Sequence, residues 1–208
     1  NGMKKLFSLR YLLLLILSVW LSTLSAQEQN RIDSLRNLIN SRGAKKVQKA
    51  EWLFQIADLY YYTQTKEIKG VINEAKEIVN QLNDKCLHFD LGVHEAVYLN
   101  NMNMIPESKQ QSLKVLELAR EHKCVRAEVD IFLHLAFLHL YNTKEDSCVF
   151  YIQQAKSKAE EFKDSLMITK ANRMLGLSCF VNNQFQKSRE WLQPSYNIFL
   201  QHGEMILA

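Results

Sequence analysis

The chain is predicted to be all-α, an α-solenoid of stacked helical hairpins, and three observations carry that expectation. Residues 125–161 read as two amphipathic helices joined by a turn at 141–144. Phe132, Leu135, Ala136 and His139 share one face of the first helix, and Cys148, Ile152, Ala155 and Ala159 one face of the second, the spacing of a helical stripe. A period of 40 residues then repeats this unit. Ala75, Val115, Ala155 and Ser195 keep that interval, as do Val79, Ala119, Ala159 and Phe199, and Ile72, Ser112, Ile152 and Leu192. On the first helices Ala96, Ala136 and Gly176 keep it too, with Ala57 one residue out of step. Self-similarity of this kind marks supersecondary units that bury their apolar faces only by stacking. Finally, 6 Gly and 2 Pro in 208 residues are too few for a turn-rich β fold.

The N-terminus reads as a signal peptide over 1–26. Asn1 and Gly2 precede Met3 and look like a cloning remnant or an over-extended reading frame. Lys4, Lys5 and Arg10 form the basic region, 11–21 the apolar region, and Ser25-Ala26 before Gln27 the cleavage site. An uncleaved N-terminal anchor is the alternative, and export follows from either. These three basic residues also account for most of the formal charge of +4, because 1–26 contains no Asp or Glu. The remainder holds 23 basic and 22 acidic residues. Such a near-neutral chain lacks the electrostatic footprint of nucleic-acid binding.

Residues 27–43 form a lead-in helix with Ile32, Leu35, Leu38 and Ile39 on one face and Gly43 behind it. Four hairpins follow over 44–203, at 45–82, 85–122, 125–163 and 165–202. Turns are signalled at 63–65, at 103–106, at Asn142-Thr143 and at Asn182-Asn183. Thr143 with Asp146 resembles a capping box, and Pro106 suits a first helical turn. Pro194 is expected to kink or divide the last helix near Gln193. Residues 204–208 begin an apolar run that reads as the start of a further, truncated helix.

With the hairpins placed, the sequence resembles tetratricopeptide repeats. The first helices carry Ile56-Ala57 with Tyr60, then Ala96, Leu135-Ala136 and Leu175-Gly176. The second helices carry Ser108, Ser112 and Val115; Cys148, Ile152 and Ala155; Ser188, Leu192 and Ser195. The departures are a 40-residue period against the family's usual ~34, Glu95 at an aliphatic position, and His139 and Cys179 at aromatic ones. The resemblance implies a right-handed superhelix whose concave wall comes from the first helices. That wall would comprise Phe54, Asp58, Tyr61 and Tyr62; Val93, Val97 and Asn100; Leu133, Phe137 and Tyr141; and Arg173, Leu177 and Phe180. It is apolar and aromatic, which suits an amphipathic helix or apolar peptide of a protein partner. The exported repeats also resemble the sensory region of bacterial membrane-bound histidine kinases and transcriptional regulators. This implies the periplasmic sensing or scaffolding part of a larger envelope signalling protein. A free-standing exported scaffold is the alternative, and an exported enzyme with a site between repeats a more distant one. Contact with the membrane would come only through the signal peptide or a region downstream.

No catalytic, cofactor or metal site is expected. Phosphate loops, nucleophile elbows, paired-carboxylate motifs and HExxH are missing. His134 and His139, and His88 and His94, miss the i, i+4 spacing of a helical metal pair. The Tyr60–Tyr62 run and the Trp52, Trp191 pair read as repeat packing. Cys86, Cys124, Cys148 and Cys179 allow two disulfides in an exported chain. Cys86 and Cys124 stand in neighbouring repeats, whose helices stack at roughly 8–10 Å, beyond the disulfide Cα limit of about 7 Å. Buried thiols are therefore expected there. Cys148 and Cys179 could approach, although thiols are the expectation there as well.

Overall fold

The computed structural model describes residues 26–63, 65–140 and 145–201, and every regular element among them is helical. A lead-in helix α1 (26–39) precedes four hairpins. They are α2 (Lys46–Thr63) with α3 (Thr65–Val79), α4 (Lys85–Asn101) with α5 (Ile105–Glu121), α6 (Val125–Leu140) with α7 (Glu145–Glu161), and α8 (Ser165–Val181) with α9 (Phe185–Gln201). Each helix packs on the next. The first helices also form a continuous row, α2 on α4 on α6 on α8, whereas among the described residues the second helices do not touch one another. The first-helix row is thus the inner, tighter wall of a curved stack.

The turns repeat as the sequence does. Asn103, Lys123, Lys163 and Asn183 all take the left-handed conformation, with φ of 55–59°. At each of them the following amide closes a Schellman loop onto the helix just ended: Met104 to Leu99, Cys124 to Ala119, Asp164 to Ala159 and Gln184 to Cys179. Asn tolerates this conformation through its short side chain, while Lys has no such relief. The next helix is started by Asp84 or Asp164, whose carboxylates accept from the amides of Leu87 and Met167. Cys124 occupies the equivalent place between them and has another use.

Where two helices of a hairpin cross, the side chains are small. Ala96 and Ala136 are fully buried, as are Ser108, Ser112, Ala155 and Ala159 on the partner helices. At Gly176 a Cβ would stand 2.6 Å from Leu192 Cγ, so a larger residue forces the crossing apart. Larger buried side chains, among them Leu53, Ile56, Ile131, Leu135 and Ile152, fill the cores of the stack. Truncating any of them would cost roughly 2–5 kcal/mol.

Several expectations need correction. Ile32, Leu35 and Ile39 bury α1 against the first hairpin, but Leu38 is 45% exposed because 100° per residue carries it off the stripe. Arg36 instead anchors that helix by pairing with Glu74. α9 is a single helix that continues through Pro194, not divided at Gln193. Pro194 is exposed, so water can satisfy the carbonyl its ring leaves without a donor. The signal peptide up to residue 25, the turn at 141–144 with its capping box, and residues 202–208 lie outside the described residues.

The third correction is chemical. Cys86 and Cys124 form a disulfide, with their Cα atoms 5.3 Å apart. The spacing of helix axes overstates the separation of facing Cα atoms. Cα atoms lie about 2.3 Å off their axis, so facing positions on axes roughly 8–10 Å apart come within bonding reach. Cys148, buried, and Cys179, half-buried, keep their thiols.

Candidate functional site

The 40-residue period also runs along the inner wall, where it aligns side chains into rows. Asp90, Asp130 and Lys170 hold one position of α4, α6 and α8; Phe54, His94, His134 and Met174 hold another; Val93, Leu133 and Arg173 a third. These rows converge on a cavity of about 160 Å³ on the inner face, to which all four first helices contribute.

Of the thirteen wall residues expected from sequence, Asp58, Tyr61, Val93, Val97, Leu133, Phe137 and Arg173 line this cavity. Tyr61 and Phe137 meet edge to face across it, with ring centres 6.3 Å apart. Phe54 does not line it: it is buried and stacks on the His94 ring at 4.7 Å. Leu177 packs into the core cluster between hairpins, and Asn100 is half-buried away from the cavity. Phe180 is exposed at the hairpin tip against Phe185. Tyr141 and the side chain of Tyr62 lie outside what is described.

The wall was expected to be apolar and aromatic, and its floor is instead ionic. Asp90, His94, Arg126, Asp130, His134 and Lys170 line the cavity and were not anticipated. Their signal was nevertheless present, because Asp90, Asp130 and Lys170 are charges recurring at 40 residues inside otherwise apolar helices.

Most of these charges are paired. Lys170 donates to Asp130 at 3.2 Å, and this neighbouring carboxylate holds the lysine pKa up against the effect of burial. The His94 ring stands 3.5 Å from Asp58; burial nevertheless pushes its pKa down, with Asp58 opposing, so it is neutral at pH 7. Arg126 lies at the rim, 3.8 Å from Glu51. His134 belongs to a closed network. The Ser108 hydroxyl donates to the Ala96 carbonyl at 2.7 Å and accepts from His134 Nε2 at 2.9 Å, which places the ring proton on Nε2. Burial pushes the His134 pKa down to about 4.

Two groups are not paired. Asp90 is 9% exposed, and among the described residues its carboxylate makes no hydrogen bond or ion-pair contact. Burial raises its pKa to about 7, with Arg126 opposing and Asp130 reinforcing. Arg173 lies over the Phe199 ring at 5.9 Å, and its buried Nε has no hydrogen-bond partner among the described residues. No cluster of His, Cys, Asp or Glu among the described residues could hold a metal.

No protein-family model matches the sequence, and no curated protein matches it. Among solved structures, one similar chain is a Signal Transduction ATPase with Numerous Domains carrying a tetratricopeptide repeat sensor, from Pyrococcus horikoshii. It shares 21% identity at a TM-score of 0.50, over 76% of this chain and 25% of its own length. BtubC from P. vanneervenii matches at a TM-score of 0.49 and 11% identity, over 87% of this chain and 75% of its own. This chain therefore spans about a quarter of the length of the first neighbour. The likeness concerns the fold, an all-α solenoid of helical hairpins of the tetratricopeptide-like kind.

Proposed function

We propose that this chain is a protein-interaction scaffold that works outside the cytoplasm, as the sensing part of a larger envelope signalling protein. One observation carries the reading: the first helices of all four hairpins form a single inner wall that converges on one cavity. A stack of repeats gains such a surface only from its concave side. Residues 3–26 support export, and the Cys86–Cys124 disulfide fits an oxidising compartment. The sensor in the name of the archaeal neighbour belongs to that protein, yet it is consistent with a signalling use of the same fold.

The test is photo-crosslinking in cells that express the chain. A photo-reactive residue at Val97, on the inner wall, should give a discrete protein adduct in the envelope fraction. The same residue at Phe150, exposed on α7, should not. Equal adducts at both positions, or none at Val97, would remove the docking surface. A chain recovered only from the cytoplasm, with 1–26 still attached, would remove the export.

A further inference from the structure

We infer that the floor of the concave cavity is a binding site for a small zwitterion, an α-amino acid with an apolar side chain. Its ammonium would sit on Asp90 and its carboxylate on Arg173.

Asp90 is the point of departure. A carboxylate that is nine-tenths buried and has no partner is costly to keep. Lys170 is committed to Asp130 at 3.2 Å, and Arg126 lies at the rim beside Glu51. Arg126 is the strongest opposing charge on Asp90 and offsets part of its burial. Neither cation reaches the carboxylate within hydrogen-bond or ion-pair distance, so among the described residues it stays open to a further donor. Arg173 presents the complementary case: its side chain lines the same cavity, it has no carboxylate partner among the described residues, and its Nε–H, buried behind the surface, meets no acceptor. A cation alone would leave Arg173 unmatched, and an anion alone would leave Asp90 unmatched. One molecule with both charges answers both groups.

The rest of the enclosure sets the class of side chain. Val97, Leu133, Phe137 and Met174 line the same cavity, and a polar side chain against them would lose hydration without gaining partners. Volume sets the size. Where one water needs about 10–15 Å³, 160 Å³ has room for roughly ten non-hydrogen atoms. That is the size of a free amino acid and too small for a helix. The inference goes beyond the docking reading and stands apart from it, because the wall around the cavity could take a protein whether or not the floor takes a small molecule.

The test is calorimetric titration of the purified chain with L-alanine, L-leucine and L-phenylalanine. Leucine is then compared with 3-methylbutylamine, which lacks the carboxylate, and 4-methylpentanoate, which lacks the ammonium. Saturable binding of leucine is expected, with each analogue at least about tenfold weaker, a loss of one charged contact. Asp90→Asn should cost leucine at least about tenfold and leave 4-methylpentanoate no weaker, while Arg173→Gln should spare 3-methylbutylamine. Thermal melts check that both variants fold, and Asp90→Asn should melt no lower than the parent. No heat from any of the three amino acids overturns the inference. So does an Asp90→Asn variant that binds leucine like the parent, or an analogue that binds as tightly as leucine. A docking failure alone, with no adduct at Val97 but saturable leucine binding, would leave this site standing.

Discussion

Ser108 and Asp90 are both polar, both buried and only one helix apart, yet they are treated oppositely. Ser108 gives its proton to Ala96 and receives one from His134, so its hydroxyl is satisfied both as donor and as acceptor. Asp90 faces a cavity and makes no contact of the kind. The first arrangement specifies how α4, α5 and α6 meet, since any shift would strand three groups at once. The second weakens the fold where it stands. A chain that satisfies one buried polar set and leaves its neighbour open is separating a structural position from one held ready for something else.

The comparison can be broken first at the disulfide that holds α4 to α6 beside both sites. Replacing Cys86 and Cys124 by Ser removes a link between residues 38 apart, worth about 4 kcal/mol in the chain-entropy treatment. Urea melts of the variant should show that loss, and reductant should shift the parent alike and the variant not at all.

Acid attacks the satisfied crossing next. The His134 pKa falls from an unfolded 6.5 to about 4, so the folded state resists the proton that the unfolded chain accepts. Its contribution is complete above pH 6.5, declines as pH falls, and is gone below about 4, a loss of about 3 kcal/mol. His134→Gln should flatten the decline between pH 6.5 and 4 relative to the parent; an unchanged slope would assign it to other groups.

Ser108→Ala then strands the buried His134 Nε2–H and takes from the Ala96 carbonyl its second donor, at about 2 kcal/mol at neutral pH. A loss within a few tenths of zero would mean that water replaces the hydroxyl.

Asp90 gives the opposite sign. Its pKa rises from 3.8 to about 7 under burial, against Arg126 and Lys170 and with Asp130 and Asp84. Its contribution is thus complete below pH 3.8 and lost as pH rises through 7. Asp90→Asn should raise stability at pH 8 by at most about 4 kcal/mol, the linkage value of the rise from 3.8 to about 7, less the cost of burying the Asn amide, and leave it unchanged near pH 4. A loss at pH 8 would show that Asp90 has a partner after all, and the contrast with Ser108 would collapse.

Much of the fold was legible because a stacked repeat imposes its register on the sequence. Ala75, Val115, Ala155 and Ser195 are all buried at their 40-residue spacing, since each meets the same crossing. The cavity was less legible because a period identifies equivalent places without saying which of them face outward. Asp90, Asp130 and Lys170 belong to no apolar stripe, the signal from which the helices are read, and the stacking of α4, α6 and α8 brings them to one cavity. The disulfide escaped for a related reason. Its geometry depends on two Cα atoms at facing helix starts, which a mean spacing between axes does not contain.

That bond also sets how the curved stack can move. Cys86 lies one helical turn before Asp90, and Cys124 two residues before Arg126, so the weld is at the end of the inner wall that carries the charges. Any bending between the second and third hairpins would therefore pivot there and travel furthest at the opposite end, near Asn101–Met104. A load at the tips would work as on a lever, with a long arm outside and a short arm at the charged floor. Large excursions of the tips would then reach Asp90 only as small changes of spacing, a reduction gear built from one covalent bond.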